Sequence, residues 1–510
     1  MSAPQELKGP DLAAGIDASQ LKEGEPLLGH AAGEAVVVVR SGGQLCAVGA
    51  ACSHYGGPLA EGIVEGGTIR CPWHHARFDL RTGAPERPGR DGIPCYRVES
   101  QGGVLRVGGR IAAPEPAPAK GPESVIIVGG GAAGNACAEE LRRKGYRNPI
   151  TLIAGEGTVP VDRPNLSKDY LAGTAPEEWI PLRGRDFYAQ HGITLLEGVE
   201  ATGIDTAKRE VRLSRGGPLP YGALLLATGA EPIRLPIPGA ERALLLRTLA
   251  DSRAIVARAA EGQRAVIVGA SFIGLEVAAS LRARKLDVSI VAPESRPLER
   301  VLGPELGDFV RALHEEHGVH FHLGRKPARI DAGSVALDDG KTLPADLVVM
   351  GVGVRPRLQL AEQAGLAVQK GVVVDATLRT SVEDIWAAGD IARFPEPRSG
   401  RVLRVEHWVV AERHGQHAAR AMLGARVPFS DVPFFWSQHY DVPINYVGYA
   451  EGWDSLTVTG SVQERNCLVA YRQAGRVLAV ASIYRDKESL LIEAAMEKGD
   501  EAAVERLLRG

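Results

Sequence analysis

The chain has 510 residues, too many for a single core, and its length predicts three or four domains. A formal charge of −3 gives no basic character by which to bind nucleic acid or an anionic membrane, and no run reaches the roughly 18 apolar residues that span a bilayer. The start, "MSAPQELKGPDLAAG", lacks a signal-peptide layout, and six cysteines are too few for a disulfide scaffold, so a cytoplasmic location is expected.

Residues 1–110 read as short strands between glycine turns ("AVVVVRSGGQLCAV", "GGTIRCPW", "GIPCYRVES", "GGVLRVGG"), which predicts a small all-β domain. Within it stand Cys52-x-His54, in "CSHYGGPL", and Cys71-x-x-His74, in "CPWHHARFD". A common zinc finger pairs cysteine with cysteine and histidine with histidine in a helix-containing unit. Here each arm carries one of each, on turns between strands. That arrangement suits a [2Fe–2S] cluster with both thiolates on one iron and both imidazoles on the other. Cys52, His54, Cys71 and His74 are therefore the expected metal ligands.

Residues 111–123 follow as a proline- and alanine-rich, semi-rigid linker. Then "SVIIVGGGAAGNACAEELRRKG" reads as a buried strand, a glycine turn and a helix. "RAVIVGASFIGLEVAASLRARKL" repeats the design further on, so two Rossmann-like α/β nucleotide-binding units are expected in tandem. The basic helix ends, Arg142–Lys144 and Arg282–Lys285, are read as complements of the helix dipole.

In the first unit Gly129, Gly131 and Gly134 let the backbone approach a pyrophosphate, and Glu156 lies where an acid grips a ribose hydroxyl. The second unit has Gly269, Ser271 and Gly274, serine replacing the middle glycine. Past its second strand, in "VSIVAPESR", Ala292 takes the usual acid position, with Glu294 and Arg296 just beyond; Glu294 tips the balance toward NADH over NADPH. The histidines of "LHEEHGVHFH" (His314, His317, His320, His322) diverge between a helix end and a strand and read as solvated surface. Beyond about Pro428 a few strands and then helices are predicted.

"CSHYGGPL…CPWHHARFDLRTG" resembles the Rieske ferredoxin domains. "PVDRPNLSK", "LLLATGAEP", "GVGVRP" and "TSVEDIWAAGDIARF" are similar to signatures of the ferredoxin-reductase-like flavoproteins, a likeness running from about Ser124 to the C-terminus. The whole chain resembles the Rieske-containing apoptosis-inducing-factor-like reductases. The fold implied is multidomain: an all-β Rieske domain (1–110), the linker (111–123), a discontinuous FAD-binding domain (124–250 and 376–424), a NAD(P)-binding domain (251–375) and an α+β C-terminal domain (425–510).

By the same resemblance, Arg163 and Lys168 touch the flavin, Lys168 near its reactive ring nitrogen, and Glu276 pairs with Lys168; these two are the expected catalytic residues. Asp390 binds ribityl hydroxyls, and Trp408 (in "EHW") and Trp436 (in "FFWS") line the pocket. Rieske domains usually have Gly where this chain has His75, read here as a solvated neighbour of the ligands. The extra cysteines that form a disulfide in high-potential members are replaced by Gly57 and Trp73. The serine and tyrosine hydroxyls those members aim at the cluster are replaced by Ala76 and Phe78. Hydrogen bonds to sulfur favour the reduced cluster, so their loss implies a potential near the low end of the Rieske range, roughly −150 mV. Disulfide reductases of this fold carry two cysteines shortly after the first nucleotide motif; "EGTVPVDRPNLSKDYLAG" has none, which excludes dithiol chemistry there.

The implied activity is transfer of electrons from NADH or NADPH through FAD to the fused cluster, and on to an external acceptor such as a ferredoxin, a cytochrome, an oxygenase or a quinone. Two alternatives stand beside it. One is a reductase whose flavin serves an external ferredoxin directly. The other is an NADH-responsive redox sensor with slow turnover. A homodimer is compatible with the resemblance.

Overall fold

The structure, a computed structural model, describes residues 7–509. The N-terminal part is a pair of antiparallel sheets. Six strands run in the order Ile16–Asp17, Val104–Ile111, Cys95–Gln101, Gln44–Gly49, Glu34–Ser41, Leu27–Ala31. Four short strands between Ile63 and Arg87 form the second sheet. Val36 through Val39 are all buried because both faces of their strand are covered. Val37 and Val39 pack with Cys52, Cys71 and Phe78, whereas Val36 and Val38 face a separate core with Tyr96 and Leu105. Each ligand-bearing loop is closed by its own cysteine. Cys52 N donates to Gly57 O at 2.9 Å, and Cys71 N donates to Ala76 O at 2.7 Å.

The stretch from 112 to 122 has neither helix nor strand and is pinned where Ala119 N donates to Gly145 O. A five-stranded parallel sheet follows, ordered Ile193–Glu197, Ile150–Ala154, Val125–Val128, Ala223–Leu226, Ile385–Ala387. Its last strand comes from far along the chain. Inserted before it is a four-stranded parallel sheet, ordered Val319–Leu323, Asp287–Ala292, Arg264–Val268, Leu347–Met350. Val125–Val128, and Arg264–Val268 after its exposed arginine, are apolar and buried, as parallel strands between helices must be. Helix α1 (Ala132–Arg143) opens after the first glycine turn and α2 (Phe272–Ala283) after the second. Helix α3 spans Glu299–Glu316, with a kink at Gly303 and Pro304. Helix α4 (Trp408–Met422) packs along α1. The C-terminal part is a five-stranded antiparallel sheet, starting with the hairpin Phe434–His439 and Val442–Gly448, backed by α5 (Asp486–Glu497) and α6 (Glu501–Leu507). No described helix is long and apolar enough to cross a membrane.

The basic ends of α1 and α2 serve as donors to backbone carbonyls. Arg142 donates to the carbonyls of Tyr146, Asn148, His191 and Gly192, Arg282 to His317 and Leu286, and Arg143 reaches the N-terminal part through Arg90 O.

The two-sheet unit is held to the rest by charge. Arg183 bridges Asp91 at 2.8 Å and Glu139 at 3.0 Å. Glu497 of α5 takes Arg70 at 2.9 Å and Arg87 at 2.7 Å, and Lys498 meets Glu65. At the centre Glu493 binds His75 Nδ1 at 2.5 Å and Arg413 of α4 at 2.7 Å, all three out of solvent. Burial opposes the Glu493 carboxylate, but Arg413 and His75 hold its carboxyl well below the usual range. Glu493→Ala strands the buried Arg413 guanidinium, and its expected cost is about 3–5 kcal/mol. A denaturant-unfolding midpoint within error of wild type would contradict that placement.

Candidate functional site

The tips of the two ligand loops lie together. The Cys52 and Cys71 thiols, both free, share a hydrogen bond, which draws Cys52 below the ordinary thiol range and pushes Cys71 well above it. The rings of His54 and His74 stand 5.3 Å apart at 85°. Burial, before any charge effect, keeps both imidazoles neutral, the form that ligates metal. His54 Nδ1 is buried without a partner while its Nε2 faces Glu412 of α4 at 3.1 Å. No three described His, Cys, Asp or Glu side chains converge on one point. A binuclear cluster asks instead for a thiol pair and an imidazole pair, and that is the arrangement present. Burial also raises the Glu412 carboxyl to about 8.

Gly57 is required by space: a Cβ there would stand 2.5 Å from Cys71 Sγ and 3.1 Å from the Trp73 ring. Ala76 and Phe78 are fully buried beside the cysteines and bring no hydroxyl. His75 departs from expectation. It is buried, not solvated, because Glu493 binds it and Phe434 packs on it at 4.2 Å. Its φ of +58° explains why a glycine would suit this position.

Between the two parallel sheets lies a cleft of about 360 Å³, walled by the starts of α1 and α2 and by Trp408 and Trp436. Gly129 has φ +115°, and a Cβ on Gly134 would collide with the Gly129 carbonyl, so the turn admits only glycine at both places. Gly131 caps α1. In the second unit Ser271 caps α2: its Oγ accepts from Gly274 N and donates to Gly351 O at 2.7 Å. That is the physical reason serine replaces glycine there. Gly269 takes φ +108°.

At the cleft floor Lys168 Nζ lies 2.8 Å from Glu276 Oε2. Burial pushes the Glu276 carboxyl up, but Lys168, Ser167 and Ser437 outweigh it and leave it below the ordinary range. Arg163 pairs with Glu156 at 2.5 Å and Asp390 with Arg247 at 2.7 Å. Arg163 Nε, Arg247 Nε and His407 Nδ1 are buried without partners along the same wall. Such orphans fit a polar ligand with phosphates and hydroxyls, as a flavin dinucleotide is. Glu294 sits apart, in the loop after Asp287–Ala292, where its carbonyl accepts from Gly324 N.

The two regions meet at Trp436. One of its sides faces the cleft, with Lys168 Nζ 5.9 Å from the ring centre, and His74 lies 4.2 Å from its centroid on another. Alternation along Phe434–His439 explains this double duty. Phe434 and Trp436 point to the N-terminal part, at His75 and His74. Phe435, Ser437 and His439 point to the nucleotide units, at Phe272, Glu276 and His314.

Sequence reasoning missed Glu412, Arg413 and Glu493, which carry no motif and gain meaning from partners 358, 80 and 418 positions away. It also misplaced part of the histidine group. His314 is fully buried and bonded to His439, since α3 turns that face onto the C-terminal sheet, whereas His320 is exposed as expected.

Comparison with known proteins adds three family models. The Rieske [2Fe-2S] domain matches residues 14–97, Pyridine nucleotide-disulphide oxidoreductase residues 123–415, and Reductase C-terminal residues 434–508. Apoptosis-inducing factor 3 of Mus musculus is 33% identical over 88% of this chain and 78% of its own length. Putidaredoxin reductase CamA of Pseudomonas putida is 37% identical over 72% of this chain and 90% of its own. Among solved structures, the covalent putidaredoxin reductase–putidaredoxin complex superposes with a TM-score of 0.72 at 35% identity, covering 74% of this chain and 94% of that one.

His74→Ala is expected to abolish the Rieske electron-paramagnetic-resonance signal while FAD stays bound; a surviving signal removes His74 from the ligand set. Adding both hydroxyls, Ala76→Ser with Phe78→Tyr, is expected to raise the cluster midpoint within the range of about −150 to +300 mV. An unmoved midpoint in a redox titration means those side chains do not reach sulfur.

Proposed function

The chain belongs to the pyridine nucleotide-disulphide oxidoreductase family, with a Rieske domain in front and a reductase C-terminal domain behind, and from that premise we propose that it is an NAD(P)H-dependent reductase whose first electron acceptor is its own cluster. It is an oxidoreductase enzyme of the ferredoxin-reductase type, with FAD, NAD(P)H and a Rieske [2Fe–2S] cluster as cofactors. FAD, when bound, would take one hydride from a nicotinamide and release its two electrons singly, which neither a nicotinamide nor a one-electron centre does alone.

The observation that carries the proposal is the single indole between His74 and the cleft. Cys52, Cys71, His54 and His74 hold the cluster. Gly129, Gly131, Gly134, Glu156, Arg163, Asp390 and Trp408 hold FAD, in a domain made of 124–250 and 376–424. Lys168 steadies negative charge at the flavin ring, and Glu276 offsets Lys168 when that charge is absent. Gly269, Ser271, Gly274 and Glu294 hold the nicotinamide dinucleotide. NADH is favoured because Arg296, the cation nearest Glu294 in sequence, is engaged by Asp308 at 2.7 Å and Glu299 at 3.6 Å rather than free for a 2′-phosphate.

Direct reduction of an external ferredoxin by the flavin is the weaker reading. The fused domain already occupies the cleft wall at Trp436 and is fastened there by buried charge. Putidaredoxin reductase forms a covalent complex with putidaredoxin in its solved structure; here the one-electron partner is part of the same chain, and the external acceptor draws from it.

Anaerobic stopped-flow reduction by NADH tests this. Flavin bleaching followed by cluster reduction is expected in the wild type. In Trp436→Leu the second phase slows by at least an order of magnitude while the first persists. Flavin that turns over beside a permanently oxidised cluster overturns the proposal.

A further inference from the structure

Glu276 is bonded on both carboxylate oxygens, and one of them begins a line of buried protic groups that leaves the cleft. Oε2 accepts from Lys168 and Ser167. Oε1 accepts from the Ser437 hydroxyl at 2.6 Å. Ser437 Oγ is 3.2 Å from His439 Nε2, and His439 Nδ1 is 3.2 Å from His314 Nε2. The Tyr440 hydroxyl lies 3.3 Å from His314 Nδ1. Ser437, His439 and His314 are buried, whereas Tyr440 is half-buried and stacks at 3.6 Å on exposed His317.

Tyr440 keeps this place against its backbone preference. It sits in the turn between paired His439 and Val442 with φ +58°, a conformation such turns usually give to Asn or Gly. A bulky residue retained at a strained position points to a use for its side chain. The histidines are suited to relay. Burial pushes His439 down to about 4 and His314 well below its ordinary value, and a neutral imidazole can take a proton on one nitrogen while releasing one from the other.

We infer that Glu276, Ser437, His439, His314 and Tyr440 form a proton path between Lys168 in the cleft and solvent at the Tyr440–His317 edge. The inference rests on the assignment of the cleft to FAD made above. The balance of the reaction calls for such a path. NAD(P)H becomes NAD(P)+ by giving up a hydride, which is two electrons and one proton. Both electrons leave for one-electron acceptors, so one proton per NAD(P)H must reach water.

With Glu276 protonated on Oε1, each hydrogen points outward: Glu276 to Ser437, Ser437 to His439, His439 to His314, His314 to Tyr440, and Tyr440 to water. Moving every hydrogen one place delivers one proton to water, leaves Glu276 ionised and turns the whole line inward. Resetting it for the next proton requires the two hydroxyls to rotate and the two imidazoles to exchange tautomer. Lys168 exchanges with the other carboxylate oxygen at 2.8 Å. The serine, histidines and tyrosine act through Glu276 and are relay groups, not catalytic residues.

Tyr440→Phe removes the link to water while keeping the ring and its stack on His317. In the resting holoprotein, NMR of labelled histidine reads the exchange of the His314 and His439 N–H hydrogens with solvent. The path predicts that Tyr440→Phe slows this exchange by about tenfold or more, whereas a purely structural pair, exchanging by local opening, would show an unchanged or faster rate. The second measurement mixes NADH and ferricyanide with the holoenzyme in weak buffer containing a pH indicator. Proton appearance should keep pace with flavin reoxidation in the wild type and lag behind it in Tyr440→Phe and His439→Gln. Should His439→Gln fail to fold, Tyr440→Phe on the hairpin tip carries the test. Unslowed N–H exchange, or protons that still keep pace in Tyr440→Phe, overturns the path. Failure of NADH to reduce the wild-type flavin would instead count against the cleft assignment.

Discussion

One buried carboxylate sets the geometry on which the rest relies. Glu493 of α5 binds His75 from the N-terminal part and Arg413 from α4. The residue before His75 is His74, and the residue before Arg413 is Glu412, which faces His54. A single ion cluster therefore registers both imidazoles against the helix whose first residue, Trp408, walls the cleft. Desolvating three such groups is expensive, and only their close mutual bonding offsets it. The return is positional: a loop tip on a separate domain is held beside Trp436 rather than left to diffuse.

The strand Phe434–His439 shows how little chain is needed to join two kinds of chemistry. Its period of two sends Phe434 and Trp436 to the N-terminal part and Phe435, Ser437 and His439 to the nucleotide units. Because neighbouring residues belong to opposite faces, Trp436 and Ser437 serve the junction and the Lys168–Glu276 pair at once. A one-residue slip in the pairing of this strand with Val442–Gly448 would exchange the two sets, so the hairpin register is as consequential as any side chain.

His75 and the histidines of α3 show where local pattern misleads. Beside His74 and exposed in the sequence pattern, His75 reads as a solvated neighbour; the buried Glu493 that claims it lies 418 positions away. His314 in the last turn of α3 and His317 at its cap are three residues apart, yet one is fully buried under the C-terminal sheet and the other open to water. Helical periodicity says which residues share a side. It does not say which side another domain will cover.

What the sequence by itself determined is chemistry written over short spans. The alternating Cys/His arms and the glycine turns before α1 and α2 each depend on backbone geometry within a few residues, so local spacing suffices to read them; that Ser271 caps α2 came from the structure. The partnership of Lys168 with Glu276 was legible through resemblance to a family. Only the tertiary structure decided that His54 meets Glu412, that His74 meets Trp436, and that Glu276 continues through Ser437 and two histidines to Tyr440. Those contacts join segments distant in the chain, and whether such groups are paired, neutral or exposed depends on which surfaces are buried together, a property no single segment possesses.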